Sequence, residues 1–410
     1  MTQTPITRRT MLGRTLALGC SAAASPLITP VSFAAAPFDN RLVVIILRGA
    51  MDGLDIVQPY GDRAAAGLRP TLKSGEDAGA IDLDGFFAVH KAMAPLLPMW
   101  NAGELGFVHA VSTPYRDKRS HFDGQDLLEA GTPSLMAASA RDGWLNRMLQ
   151  TVPGITAKSA YAVGHENMLL LSGDAPVSNW SPDVRLRLSP QGRRLAELIV
   201  HDDPAFADAF AEASMLLETS DGGLSAMPSN TMMGSEDMAG IVGKGTRGIR
   251  QIAQFTGEKL REDARIASFS IGGWDTHRGQ AAALGRAAAQ LTDALLVLRE
   301  TLGETWSKTG VVAMTEFGRT ARENGTKGTD HGTGGAMLLA GGAIRGGRVY
   351  GDWPGLRHGD LYKGRDLMPT RDVRSYAAWM MRGLFGLDTS TLETAIFPGM
   401  ELGPRPGLIL

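Results

Sequence analysis

A single cysteine, Cys20, is all that the 410 residues contain. No disulfide framework and no cysteine metal cluster can be built from it. Net charge is as scarce: 41 Lys and Arg stand against 43 Asp and Glu, for a formal net charge of −2. That balance gives no reason to expect nucleic acid or an anionic membrane surface as a partner. Aromatic residues make up 6% and charged residues 20%, while hydrophobic residues reach 43%. The mixture excludes a disordered chain, a collagen and a coiled coil. It leaves enough chain for a sizeable core, in one large α/β domain or in two or three smaller ones. Glycine is what the sequence has in excess. Its 51 residues are roughly twice the usual share of about 7%, which points to many tight turns and loops.

The N-terminus reads Thr7-Arg8-Arg9-Thr10-Met11-Leu12, continuing into a mildly apolar, Ala-rich run to Phe33. Paired arginines ahead of a weak apolar region match a twin-arginine export signal. Ser32-Phe33-Ala34 offers small residues for a signal peptidase, with cleavage expected near Ala34 or Ala36. An N-terminal amphipathic helix is the plain alternative. Residues 1–36 are thus expected to be removed, together with Cys20, after passage through the twin-arginine translocation machinery. The mature chain is then periplasmic or extracellular. No later run reaches the ~18–20 apolar residues of a membrane span.

After this segment, Arg41–Leu47 is a short, β-branched, continuously apolar run, the signature of a strand buried on both faces. Leu105–Val111, Tyr161–Val163, Met168–Leu171, Arg265–Ile271, Gly310–Met314 and Ala336–Leu339 read as further strands. Met93–Trp100, Phe122–Ala130, Pro204–Glu218, Ala281–Thr301 and Ser375–Phe385 have helical spacing. Strand, loop and helix alternate throughout. This predicts an α/β fold with a mainly parallel central sheet and helices on both faces. Residues 37–410 are expected to form one such domain, with a flexible insertion near 219–245, where Ser, Gly, Met and Asp show no periodicity.

Ligands of parallel α/β sheets bind beyond the carboxyl ends of the strands. The residues there are rich in carboxylates and histidines: Arg48 and Asp52, Asp275 and His277, Glu316 and Arg319, then Asp330 and His331. Each has a bland explanation alone. Asp52-Gly53 is a turn signal, Glu316 and Asp275 can each cap the next segment of chain, and Asp330-His331 sits in a glycine-flanked turn. Together they point to a shared site. Four carboxylates and two histidines at one sheet edge would repel without a cation between them. Imidazole with carboxylate suits zinc, manganese or iron.

The ordered motifs also resemble a family. Leu47-Arg48-Gly49-Ala50-Met51-Asp52-Gly53, Ser120-His121-Phe122, Gly273-Trp274-Asp275-Thr276-His277, Glu316-Phe317-Gly318-Arg319-Thr320 and Gly328-Thr329-Asp330-His331-Gly332 are similar to those of bacterial domain-of-unknown-function family 1501. That family is remotely similar to the alkaline phosphatase and sulfatase superfamily. The resemblance implies an alkaline-phosphatase-like fold and a divalent metal, zinc first. It implies one metal site from Asp275, His277 and His331. A second site has Asp52 and Glu316 but lacks its histidine, because Phe317 stands where the superfamily has one. His121 or Asp330 would substitute there, or the site would take magnesium, manganese or calcium. Ser120 lies nearest the superfamily's nucleophile, with His121 beside it. Arg48, Arg119 or Arg319 would hold the oxygens of a small anionic ester. No Cys/Ser-x-Pro-x-Arg motif occurs at Ser120, which disfavours a formylglycine mechanism. His90, His109, His165, His201 and His358 are expected to be structural or surface residues.

Two functions are open on this reading. The clustering of Asp52, Asp275, His277, Glu316, Asp330 and His331 favours an exported metal-dependent hydrolase of phosphate or sulfate esters. Phe317 favours a non-catalytic cell-surface or periplasmic binding or assembly protein that keeps the fold.

Overall fold

β-Branched and aliphatic residues form the innermost strand, β1 (Arg41–Leu47), and all seven of its residues are buried. In the computed structural model, residues 38–137, 141–164, 168–182 and 237–410 are described, apart from the side chains of 237–245. They belong to one unit, Ala35–Pro182 with Met233–Leu410. The expected signal at 1–36, the expected helix at Pro204–Glu218, and His165 and His201 lie outside these residues. So does most of the expected insertion near 219–245, whose last residues begin a helix, Asp237–Arg261.

The other strands of the main sheet are β2 (Leu105–Ser112), β3 (Ala160–Val163), β4 (Ser178–Trp180), β5 (Ile266–Ile271), β6 (Thr309–Met314), β7 (Gly335–Ala340), β8 (Val349–Tyr350) and β9 (Arg371–Asp372). Their order is β8-β2-β7-β6-β1-β5-β3-β4, with β9 also paired to β2. β1 runs parallel to β5 and β6, and β3 runs parallel to β5 and β4. β7 alone is antiparallel to its neighbours β2 and β6. The sheet is therefore mainly parallel, as predicted.

This topology gathers the motifs. Leu47 is in register with Ile271 and Ile46 with Met314, so β1, β5 and β6 end at one edge. β7 runs the other way and begins at that edge, which delivers Asp330 and His331 to it. Helices α1 (His121–Ala130), α2 (Trp144–Thr151), α3 (Asp237–Arg261), α4 (Gln280–Leu302) and α5 (Val373–Phe385) complete the frame. Leu42, Val44 and Ile46 pack in one cluster with Val373, Tyr376 and Met380 of α5. Val43, Ile45 and Leu47 point to the opposite face and are equally buried. α3 and α4 pack against β5.

Two expected elements differ. Leu169–Leu171 is a turn of 3₁₀-helix, not a strand. Met93–Trp100 is split into a 3₁₀ segment, Lys91–Leu96, and a short helix, Leu97–Asn101. Pro95, inside the first piece, cannot donate to an α-helical ladder. Gln280–Lys308 is long and apolar enough to cross a membrane by length and composition. Its apolar stripe faces the core: Leu284, Ala287, Leu291, Leu295 and Leu298 are buried.

Candidate metal centre

The loops after β1 and β5 meet first. Gly49 has φ +117, and a Cβ there would stand 2.5 Å from the Asp275 amide nitrogen, so only glycine permits this approach. Trp274 is fully buried and donates from Nε1 to the Ile271 carbonyl at 3.0 Å. It anchors the turn that presents Asp275 and His277. α1 brings His121 from another side. Ser120 caps this helix by accepting from the Asp123 amide, and Gly131 ends it in the left-handed conformation.

Three imidazoles then converge on one carboxylate. His277 Nε2 lies 3.0 Å from Asp275 Oδ1, and His331 Nε2 lies 3.5 Å from the same oxygen. His121 Nε2 lies 3.5 Å from Asp275 Oδ2. Ligand atoms of His121, Asp275 and His331 are all within 4.8 Å of one another. His277 Nε2 and His331 Nε2 are 2.9 Å apart.

Each ring is held by its other nitrogen. His121 Nδ1 faces Glu316 Oε1 at 2.7 Å, His277 Nδ1 faces Asp330 Oδ1 at 3.2 Å, and His331 Nδ1 faces the Arg119 carbonyl at 3.0 Å. For His121 and His331 those acceptors suit a ring proton on Nδ1 and a lone pair on Nε2, whereas both ring nitrogens of His277 face carboxylate oxygens. Two imidazole nitrogens at 2.9 Å need a proton or a cation between them. The buried His121 Nε2 has no hydrogen-bond partner. The residues therefore fit a divalent metal, on donor chemistry and on an orphaned nitrogen.

The electrostatics agree. The hydrogen bond to Glu316 draws the His121 pKa up, against burial. Burial, then the nearby His121 and Arg319, lowers that of His331. Burial raises the Asp275 carboxyl, but Arg319 and the histidines outweigh it and hold it low. Burial likewise opposes ionisation of Glu316, yet donors from His121, Gln125 and Thr315 prevail. The amide of Asn324 leads the groups that lower Asp330.

The remaining expected site residues stand elsewhere. Asp52 is 1% exposed and pairs with Arg69, whose Nη1 and Nη2 reach its two oxygens at 2.8 and 3.0 Å. Gln280 donates to it at 2.6 Å. Glu316 and Asp330 orient histidine rings and lie behind the converging atoms. Arg319 is buried, donates to the carbonyls of Ala50, Thr329, Gly49 and Trp274 and to Asp275 Oδ1, and lies 3.4 Å from His277 Nε2, so its donors are engaged by protein groups behind the converging atoms. Arg48 pairs with Glu129 at 2.8 Å and Gln125 at 2.7 Å. Phe317 stacks on His121 at 5.3 Å and on Tyr115 at 5.8 Å, forming an apolar wall where the resemblance implied a ligand. Sequence reasoning missed Arg69 and Gln280. Neither sits in a motif, and only the packing of distant loops brings them to Asp52.

The family model described as "Protein of unknown function (DUF1501)" matches residues 39–376. The chain belongs to this family. No curated protein matches the DUF1501 chain. Among solved structures it is similar to the lipoteichoic acid synthase LtaP from Listeria monocytogenes. There the identity is 9%, over 92% of this chain and 81% of that one, with a TM-score of 0.39. Similarity to alkaline phosphatase from the Antarctic bacterium TAB5 is at 11% identity, over 75% of this chain and 92% of that one, with a TM-score of 0.34. The PsFucS1 sulfatase from Pseudoalteromonas sp. matches at 12% identity, over 84% and 68%, with a TM-score of 0.33.

Proposed function

We propose that this DUF1501 chain is an exported, metal-dependent hydrolase of small phosphate or sulfate esters. The observation that carries the reading is the convergence of His121, His277, His331 and Asp275, with the buried His121 Nε2 unpartnered. Zinc is the metal this donor set suits best, with manganese or iron as alternatives. A divalent cation held by these residues would supply Lewis-acid polarisation of an ester oxygen.

The chain's own residues divide the remaining work. Glu316, Asp330 and the Arg119 carbonyl hold the rings with Nε2 inward. Arg319 keeps Asp275 ionised. Ser120 is the proposed nucleophile, at the start of α1 beside His121. Its Oγ accepts from the Asp123 amide at 3.3 Å. Arg119 is exposed, and its guanidinium replaces those of Arg48 and Arg319 as the group to hold ester oxygens. Export rests on the Arg8-Arg9 signal. Replacing both by Lys should leave the precursor in the cytoplasm, and normal periplasmic accumulation of that variant contradicts the export reading.

Phe317 and the burial of Arg319 favour a second reading, a metal-holding binding or assembly protein without turnover. The deciding experiment uses mature protein purified without chelator. Metal content is measured beside turnover of nitrophenyl phosphate, bis-nitrophenyl phosphate and nitrophenyl sulfate. Hydrolysis that vanishes with chelator and in Ser120→Ala is the expected result. Stoichiometric metal without turnover of any ester selects the second reading. Turnover unchanged by chelator rejects the metal-dependent one.

A further inference from the structure

Resting on the metal-binding reading, we propose that the site holds one divalent cation, and that the buried guanidinium group of Arg69 supplies the positive charge where a second would otherwise stand. A metal ligand must offer a free lone pair, and two carboxylate oxygens offer about four such positions. Around Asp52 five donors compete for them. Oδ2 accepts from Arg69 Nη1 at 2.8 Å, Gln280 Nε2 at 2.6 Å and Thr329 Oγ1 at 3.3 Å. Oδ1 accepts from Arg69 Nη2 at 3.0 Å and the Leu54 amide at 3.1 Å.

Glu316 is similarly filled. Oε1 takes the Gly49 amide at 2.9 Å, His121 Nδ1 at 2.7 Å and Gln125 Nε2 at 3.1 Å, and Oε2 takes Thr315 Oγ1 at 2.8 Å. The two carboxylates that would define a second site are thus occupied by protein donors. Charge argues the same way. Arg69 and Asp52 have side chains 7% and 1% exposed, so their charges cancel in a poorly solvated place. A divalent cation beside that guanidinium would meet a like charge at low dielectric. Of the motif residues, His121, His331 and Asp275 bring ligand atoms within 4.8 Å of one another, with His277 Nε2 beside them and Arg319 behind Asp275 Oδ1 and His277.

Full-length mature protein, stripped of metal and then titrated with Zn²⁺ alone and Mg²⁺ alone, tests this by native mass spectrometry and elemental analysis. Wild type is expected to take one tight equivalent. The double variant D52N/R69M, which removes both charges at the second position, is expected to take one as well, while His331→Ala takes none. Two tight equivalents in wild type overturn the inference. So does loss of the single equivalent in a D52N/R69M protein whose circular dichroism matches wild type, because Asp52 would then be a ligand. If D52N/R69M does not fold, the wild-type stoichiometry alone decides. A wild type that takes no metal removes the metal-binding reading itself and this inference with it.

Discussion

Glu316 shows how one buried carboxylate shapes the site without facing its centre. Its Oε1 lies 2.7 Å from His121 Nδ1 and fixes which ring nitrogen is protonated. Glu316→Gln keeps an acceptor but removes the charge that raises the basicity of the imidazole. Metal affinity is expected to fall about 10–100-fold, the usual effect of losing a group that orients a ligand. Competition titration against a chromophoric chelator measures it, and unchanged affinity contradicts the assigned role. Arg319 makes a different test. Lysine cannot reproduce five donors in a fixed plane, and Arg319 reaches four carbonyls besides Asp275. Arg319→Lys is therefore expected to cost about 1–3 kcal/mol, the range for leaving a buried polar group unsatisfied. Urea unfolding of the metal-free protein checks this apart from any metal effect.

At the scale of an element, α1 is where helix propensity and site geometry disagree. Gly124 lies in the helix interior, where alanine would ordinarily be favoured by about 0.5–1 kcal/mol. Yet a Cβ at Gly124 would meet the Phe317 ring at 2.9 Å and Glu316 Cβ at 3.3 Å. The helix lies against the end of β6 because that residue has no side chain. Gly124→Ala should push α1 outward and carry His121 with it. Lower thermal stability and weaker metal binding than wild type are expected from melting curves and metal titration. A variant more stable than wild type, with full metal affinity, would refute this packing. Three hydrophobic residues in and near α1 are exposed: Leu135, and above all Phe122 at 82% and Met136 at 93%. They belong to the surface, and the sequence pattern alone did not separate Phe122 from the buried face of the helix.

Across the whole molecule, buried histidines away from the site tie stability to pH. His109 lies in β2, donates from Nε2 to the Val57 carbonyl at 2.8 Å, stacks on Phe87 and meets Trp353 edge-on. Burial pushes its pKa down to about 4. The unfolded chain then binds the proton first as pH falls below about 6.5, so stability present at neutral pH is lost between there and about 4. The loss between pH 7 and pH 5 amounts to about 2 kcal/mol for this one group. Urea unfolding at both pH values, compared with His109→Gln, isolates the contribution. An identical pH dependence in the two proteins refutes it. Metal acts at the same scale, since its ligands come from separated segments of the chain. Saturation at a hundredfold excess over the dissociation constant should add ~2.7 kcal/mol by mass action.

The sheet was legible in the sequence because strands buried on both faces are continuously apolar. Arg41–Leu47 needs no partner to be recognised. The helices α4 and α5 were legible for the same kind of reason, through their 3.6-residue period. The motifs Gly-Gly-Trp-Asp-Thr-His and Gly-Thr-Asp-His-Gly carried their own chemistry, and His277, Asp275 and His331 do meet. Asp52 was different. Its neighbours Arg69, Gln280 and Thr329 are separated from it by up to 277 positions, and no local pattern says which loop will neutralise a carboxylate. Glu316 looked like a ligand because charge and place along the chain are all a sequence displays. Its side chain direction depends on how α1 packs. Local periodicity thus determined the six longer strands, the helices α1, α4 and α5, and the edge at which chemistry collects, while α2, α3 and the short strands β4, β8 and β9 carried no signal that was read. Which polar groups pair, and which keep a free lone pair, was decided by the tertiary structure, because hydrogen-bond saturation depends on distance in space and not along the chain.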